Sequence, residues 1–127
     1  MKIFVSGGAG FIGSNFILKQ ILQEDNVILN YDKLTYAGNL ATLSSIQDHP
    51  NYQFIHNDIC NNNAVKSQLE AFQPDAVVHF AAESHVDRSI KDPLAFVRTN
   101  VIGTMILLNA FKGLWSGNYK DKIFYHI

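Results

Sequence analysis

The chain has 127 residues, a formal net charge of −1 and one cysteine. That length fits one domain with a sizeable core, and the near-neutral charge gives no basis for binding nucleic acid or an anionic membrane surface. The single cysteine, Cys60, excludes an internal disulfide and a cysteine cage for a metal. No apolar run is expected to be long enough to span a membrane, and no signal peptide precedes the first strand, so we expect a cytoplasmic protein.

A strand, a glycine-rich turn and a helix are predicted at the start of the chain. Residues 2–6 (KIFVS) predict the strand and residues 14–23 (SNFILKQILQ) the helix, with Gly7, Gly10 and Gly13 between them at three-residue spacing. In this pattern the first glycine makes a tight turn, the second lets the backbone approach a pyrophosphate, and the third lets the helix lie against the sheet. The helix N-terminus attracts the phosphate charge. The pattern favours dinucleotide binding over a purely structural turn.

Asp32 follows the second predicted strand, residues 27–31 (VILNY). An acidic side chain at this point accepts hydrogen bonds from the adenosine ribose of NAD and repels the 2′-phosphate of NADP. The sequence therefore predicts NAD, with NADP as the alternative because Lys33 could bind a phosphate. A further alternative is that Asp32 only begins a loop.

The rest of the chain alternates between helices and strands. Helices are predicted over residues 39–48, residues 63–72 after an Asn61–Asn63 cap, and a long segment from Pro93 to about Lys112; strands are predicted over residues 52–57, 75–81 and 122–127. Asp92 is predicted to cap the long helix, and Gly113 or Gly117 to end it. This alternation predicts an α/β fold, a doubly wound parallel Rossmann sheet with strand order 3-2-1-4-5. Ligands of such sheets bind beyond the carboxyl ends of the strands, between strands one and four.

Residues that follow the strands are the candidate ligand contacts. Asp58, with Ile59 beside it, is a candidate acceptor for the adenine amino group, and a solvated loop aspartate is the alternative. Ala81 and Ala82 are small enough for a ribose and a pyrophosphate to pass, although close helix–strand packing explains them equally well. The Thr99 hydroxyl could face the same cleft.

Residues 83–89 (ESHVDRS) are predicted to form a polar loop at the mouth of this cleft. Ser84 is the candidate for hydrogen bonding to a substrate hydroxyl or phosphate. His85, Asp87 and Arg88 are predicted to form a salt-bridge network that fixes the loop, rather than to take part in catalysis.

The other titratable residues predict neither a base nor a metal site. His79 lies in an apolar strand and is predicted to be a core histidine with satisfied hydrogen bonds. His49, His56 and His126 lack the spacing of metal ligands, and Cys60 has no basic partner and is interpreted as inert.

Several segments together resemble the dTDP-glucose 4,6-dehydratases of the extended short-chain dehydrogenase/reductase superfamily. They are GGAGFIGSNF, YDKLTYAGNL, the Asp58-Ile59 pair, HFAAESHVDRSI and TNVIGT. The resemblance covers nearly the whole chain, and YDKLTYAGNL and AAESHVDRSI are its most specific motifs. It implies a tightly held NAD and a reaction in three stages: hydride leaves sugar C4 for NAD, water is eliminated across C5–C6, and the hydride returns to C6.

The resemblance also assigns residues. It places the family's NAD contacts on Phe11, Ile12, Asp32, Lys33, Leu34, Thr35, Asp58, Ile59, Phe80, Ala81, Ala82, Glu83, Ser84 and Thr99, and an early substrate contact on Ser84. The family's catalytic Asp-Glu pair and Tyr-x-x-x-Lys motif are expected beyond the chain end, so no catalytic residue is assigned. Residues 1–127 are thus expected to be an amino-terminal NAD-binding Rossmann domain, truncated after strand five.

The long helix is apolar nearly all round, so it needs a partner on the face that does not pack on the sheet. The resemblance implies a homodimer through a four-helix bundle, and Phe96, Met105 and Leu108 are predicted to point outward. Three interpretations remain: a fragment of a nucleotide-sugar 4,6-dehydratase, another extended-family nucleotide-sugar epimerase or decarboxylase, and a non-catalytic NAD-binding module.

Overall fold

Five parallel strands form one sheet through the middle of the molecule. In the computed structural model, which describes residues 1–127, they are β1 (Lys2–Ser6), β2 (Val27–Asp32), β3 (Tyr52–His56), β4 (Ala76–His79) and β5 (Ile123–His126). The strand order is β3-β2-β1-β4-β5, and every neighbouring pair is parallel. This confirms the predicted doubly wound sheet. The order reverses between β1 and β4, so the crevice between the loops that follow these two strands is the switch point.

The helices lie between the strands in the chain. They are α1 (Phe11–Gln20), a 3₁₀ helix (Leu40–Ile46), α2 (Asn62–Phe72), α3 (Val86–Lys91) and α4 (Pro93–Leu114). The prediction began α1 three residues late, because Phe11 and Ile12 are exposed and do not extend the buried apolar pattern. The predicted cap of α2 is confirmed, since the Asn61 side chain accepts a hydrogen bond from Ala64 N–H.

Each face of the sheet carries its own apolar core. Alternate strand residues point to opposite faces, so Phe4 packs on one side and Ile3 and Val5 on the other. The first core is covered by α2 and α4, and the second by α1 and the 3₁₀ helix. Burial of one such large side chain contributes roughly 1.5–3 kcal/mol. Strands buried on both faces explain the unbroken apolar runs of the sequence.

The long helix α4 begins as predicted and ends later. Asp92 Oδ1 accepts a hydrogen bond from Ala95 N–H at 3.2 Å, and Pro93 occupies the first turn. The helix passes through Gly113 and ends at Leu114, and Gly117 makes the turn after it with φ +79°. Residues Val97–Gly103 are π-helical, which the sequence did not indicate. Wider turns of this kind occur often at functional sites.

The outer side of α4 is a stripe of exposed apolar side chains, which we call the α4 stripe: Leu94, Val97, Val101, Met105 and Leu108. Met105 and Leu108 point outward as predicted. Phe96 is partly buried, so its predicted outward position was wrong; Val97, one residue on, is exposed instead.

Helix α4 is 22 residues long and apolar enough to cross a membrane by length and composition, so the expectation that no such run exists was wrong. Leu107, Ala110 and Phe111 on its inner side are buried in the core on the sheet. Its outer side, which carries the α4 stripe, is exposed, so the helix packs on the sheet along one side only.

Candidate functional site

A cleft of about 470 Å³ lies where the loops after β1, β2, β3 and β4 meet. This is the carboxyl edge of the sheet, as the strand order predicts. All but one of the predicted NAD contacts line the cleft. Those that do are Gly7, Gly10, Phe11, Ile12, Gly13, Asp32, Lys33, Thr35, Asp58, Ile59, Phe80, Ala81, Ala82, Glu83, Ser84 and Thr99. The chain therefore gathers into one cavity residues that are far apart in its sequence.

Leu34 is the exception, and several lining residues were not predicted. Leu34 has φ +54°, and its backbone N–H donates to Asp32 Oδ1 at 2.8 Å, so its contribution is to the loop and not to the lining. The unpredicted lining residues are Tyr31, Ala37, Gly38, Asn57 and Ile127. Of these, Ala37 and Gly38 could have been predicted from the sequence, because small residues in a loop after a strand let a ligand approach the backbone closely.

The glycine turn (residues 7–13) is shaped by close approaches of the backbone. Gly7 has φ +74°, and a Cβ there would lie 2.5 Å from the backbone nitrogen of Ala81. A Cβ on Gly13 would lie 2.4 Å from the carbonyl oxygen of Gly7. A Cβ on Gly10, by contrast, would meet only the Gly7 oxygen at 3.4 Å, an ordinary contact distance. No protein atom requires glycine at position 10, and Gly10 lines the open cleft.

The start of α1 presents both polar and apolar surface to the cleft. Gly10 is the N-cap residue and supplies no side-chain cap, so the first N–H groups of the helix are free of a capping side chain. The helix start also carries a partial positive charge. Phe11 is 85% exposed and Ile12 is 62% exposed, although both are large apolar residues. The site thus combines a helix N-terminus that attracts anions with apolar side chains that can cover a planar ligand.

Asp32 links the glycine turn to the end of β2. Its Oδ2 accepts from Ala9 N–H at 2.9 Å, and its Oδ1 accepts from Leu34 N–H at 2.8 Å. A carboxylate has about four acceptor sites, so lone pairs remain for a ligand hydroxyl. Asp32 therefore has the loop-forming role that was the alternative interpretation, and it also faces the cleft.

Lys33 and Asp58 form an ion pair at the far end of the cleft, with 2.7 Å between Nζ and Oδ2. Burial raises the pKa of Asp58, but hydrogen bonds from Lys33 and from Cys60 N–H outweigh it, so the net pKa lies below the ordinary value. Binding of a 2′-phosphate by Lys33 would compete with this ion pair, although the Lys33 side chain is 56% exposed and such surface pairs contribute only about 0–1 kcal/mol.

The predicted salt-bridge network of residues 83–89 was wrong. Residues Val86–Lys91 form helix α3, and the ion pairs of the chain are Lys33–Asp58 and Lys122–Asp75 only. On a helix, neighbours one or two positions apart do not face each other, so Asp87 and Arg88 diverge. Arg88 instead lies over the Tyr36 ring, 4.0 Å from its centroid.

His79 is a fully buried core residue with both ring nitrogens engaged, as predicted. Its Nδ1 lies 2.6 Å from Ser6 Oγ, and its Nε2 lies 2.9 Å from Thr104 Oγ1. Burial, with a smaller contribution from His126, lowers the pKa of His79 to about 4, so the ring is neutral at pH 7. The Cys60 thiol donates to the carbonyl oxygen of Arg98, and burial raises its pKa, which agrees with an inert thiol.

Known proteins match this chain along nearly its whole length. A profile of the GDP-mannose 4,6 dehydratase family matches residues 4–127. The dTDP-glucose 4,6-dehydratase of Salmonella typhimurium is 50% identical over 122 residues, which are 96% of this chain and 34% of that protein. The chain thus spans about a third of the length of the curated relatives it matches.

Solved structures agree with the sequence match. The dTDP-glucose 4,6-dehydratase of Bacillus anthracis, in complex with NAD, superposes with a TM-score of 0.83 and 39% identity over 99% of this chain and 36% of that one. The enzyme from Streptomyces venezuelae, with NAD bound, gives 0.84 and 41% over 92% of this chain and 37% of that one. A UDP-glucose 4-epimerase from Thermotoga maritima gives 0.78 and 28% over 90% of this chain and 35% of that one. The chain belongs to the GDP-mannose 4,6 dehydratase family.

Proposed function

We propose that this chain is the NAD-binding part of a nucleotide-sugar 4,6-dehydratase, a lyase that converts dTDP-glucose to dTDP-4-keto-6-deoxyglucose. One observation carries the cofactor site in this proposal: the open space in front of Gly10, at the uncapped start of α1 and in the same cleft as Asp32. The dehydratase reaction rests on the similarity to the dTDP-glucose 4,6-dehydratases. That space fits a phosphate group approaching the backbone, because a helix N-terminus favours negative charge. The NAD found in the related dehydratase structures supports it.

Each part of the cofactor has a candidate partner. The glycine turn and the start of α1 hold the pyrophosphate, and Asp32 accepts from the adenosine ribose. Asp58 and Ile59 lie beside the adenine. Residues 81–84 and Thr99 border the nicotinamide ribose, and Ser84 contacts the substrate. The engagement of Lys33 by Asp58 favours NAD over NADP.

In this proposal the chain binds and orients, and does not move protons. When bound, NAD supplies the hydride acceptor and donor for the sugar. The residues described here exclude water from the cofactor and fix its position at the carboxyl edge of the sheet. No tyrosine of the chain is followed four positions later by a lysine. The acid, the base and the Tyr–Lys pair that the resemblance implies are therefore assigned to the rest of the protein.

The Gly10→Ala variant tests the cofactor site. Alanine fits the protein here, because Gly10 has φ −75° and the new Cβ meets only one atom at contact distance. The methyl group would stand where the pyrophosphate lies, so NADH affinity should fall about tenfold or more. Gly113→Ala is the matched control, since nothing lies within 4 Å of a Cβ there. Equal NADH affinity in both variants, or no NADH binding by the unaltered chain, would contradict the site.

A second candidate is an epimerase of the same superfamily, favoured by the match to the Thermotoga maritima UDP-glucose 4-epimerase. The dehydratase structures are more similar in sequence, with 39% and 41% identity against 28%. NMR analysis of the products that the full-length protein makes from dTDP-glucose and UDP-glucose separates the two. A 4-keto-6-deoxy sugar supports the dehydratase, and inversion at C4 without loss of water supports the epimerase.

A further inference from the structure

Two loops face each other across the cleft. The β2 loop (residues 33–38) supplies Thr35, Ala37 and Gly38 to one wall, and the β4 loop (residues 80–85) supplies Phe80–Ser84 to the other. In the sheet β1 lies between β2 and β4, and the switch-point crevice opens between the loops after β1 and β4. A contact from the β2 loop to the β4 loop therefore joins the two walls of the cleft.

Tyr36 makes that contact. Its hydroxyl donates a hydrogen bond to Glu83 Oε2 at 3.3 Å. Tyr36 lies between Thr35 and Ala37, which line the β2-loop wall, and Glu83 belongs to the opposite wall. The Arg88 guanidinium carbon lies 4.0 Å from the centroid of the Tyr36 ring, and the His85 ring meets it edge-to-face at 6.2 Å. Tyr36 nevertheless remains 51% exposed and belongs to neither apolar core.

Glu83 is a firm anchor for this contact. Its N–H donates to Asn100 Oδ1 and its carbonyl oxygen accepts from Asn100 Nδ2, both at 2.8 Å. Asn100 lies in the π-helical segment of α4, so the β4 loop is fixed to the longest helix of the chain. Desolvation and the Glu83 carboxylate raise the pKa of Tyr36 above its ordinary value of 10.0, a value at which the phenol is already protonated and able to donate at neutral pH.

We propose that Tyr36 is a positioning residue that fastens the β2 loop to the β4 loop over the cleft and so slows the release of the bound dinucleotide. The inference rests on the proposed NAD site. The contacts of Tyr36 are few and lie at the surface, so they can open and re-form without disturbing the cores. Release requires the loops to part, whereas first encounter occurs with the open form. The effect should therefore appear in the dissociation rate.

Stopped-flow displacement of NADH by excess NAD, followed by NADH fluorescence, measures that rate directly. Tyr36→Ala should raise the dissociation rate about tenfold, while the association rate changes less than about twofold. Tyr36→Phe should have a dissociation rate between those of the unaltered chain and Tyr36→Ala, because it keeps the ring against Arg88 and loses only the hydrogen bond to Glu83. Arg88→Met should add little in the Tyr36→Ala background, because both changes remove one shared contact.

Tyr119→Ala is the matched control. Like Tyr36, Tyr119 is exposed (56%), but its hydroxyl donates to the Lys112 carbonyl oxygen on α4 and not to either loop, so Tyr119→Ala should leave both rates unchanged. Thermal unfolding of each variant verifies that the fold is kept. If the unaltered chain binds NADH and Tyr36→Ala leaves the dissociation rate unchanged, or if Tyr119→Ala raises it equally, the role of Tyr36 is overturned and the cofactor site stands. If the unaltered chain binds no NADH, both proposals are overturned.

Discussion

At the scale of single residues, the same side chain often holds the loop and faces the ligand. Asp32 accepts two backbone N–H groups, from Ala9 and Leu34, and still lines the cleft. The sequence pattern predicts the acidic residue at the strand tip, but not its two backbone partners, because those depend on how the glycine turn folds back over β2. A ligand contact inferred from such a residue must therefore be separated experimentally from its structural role.

Asp32→Ala should weaken NADH binding by about 1–3 kcal/mol, because ribose hydroxyls lose an ionised acceptor. NADPH binding should weaken less or improve, since the variant no longer repels a 2′-phosphate. Fluorescence titration with both nucleotides measures the difference, and the exposed Asp48→Ala serves as control. An equal loss for NADH and NADPH would mean that Asp32 acts only through the loop.

His79 should make stability fall as the pH is lowered. Its pKa is about 4 in the folded chain against an ordinary value of 6.5, so the unfolded chain binds more protons between these values. Stability is therefore fully present above pH 6.5 and is lost progressively down to about pH 4. The loss should reach about 3 kcal/mol. Urea unfolding of the chain and of His79→Gln across this range tests it. An identical pH slope in both proteins would contradict the prediction.

At the scale of elements, the strands and the helix caps could be predicted from the sequence, whereas the short helix α3 and the π-helical segment of α4 could not. The five strands follow from apolar runs, and the caps at Asn61 and Asp92 follow from residue type. Helix α3 was missed because its six residues carry no apolar period and bury none of their side chains. The π-helical segment was missed because its sequence reads as ordinary helix. Gly103 in that segment packs against Ile59 Cδ1, and this tertiary approach cannot be read from sequence.

The α4 stripe is the proposed surface for a homodimer. Its five large apolar side chains are exposed in the single chain, and contiguous apolar surface of this kind marks an interaction site. Light scattering should show self-association at high micromolar concentration, and a Val101→Glu/Met105→Glu variant should be monomeric. Lys112→Glu, on the same helix but outside the stripe, should behave like the unaltered chain. A monodisperse monomer that the double change does not alter would refute this surface.

At the scale of the whole molecule, the candidate site is built by the sheet. Parallel strands bring the residues after β1, β2, β3 and β4 to one edge, so the strand order explains why nearly all the predicted contacts lie in one cleft. The catalytic residues of the whole protein do not follow from this strand order. The chain spans about a third of its relatives' length, and the Tyr-x-x-x-Lys motif that the resemblance implies is not in this sequence.

The isolated 127-residue chain should therefore be inactive toward dTDP-glucose while it binds NADH. Hydride abstraction needs a base that takes the proton of the sugar 4-hydroxyl, and none of the cleft residues is assigned that role. Product analysis by NMR after long incubation with homogeneous chain is the measurement. Formation of 4-keto-6-deoxy sugar would show that a base lies within these residues.

The glycines of the chain provide the most direct test of the NAD site, because some of their amides line the cleft and others lie outside it. In ¹H–¹⁵N correlation spectra, titration with NAD should shift the amides of Gly7, Gly10, Gly13 and Gly38, which line the cleft. The amides of Gly113 and Gly117, which lie outside it, should stay in place. Shifts confined to Gly113 and Gly117, spread evenly over all glycines, or absent at saturating NAD would contradict the site.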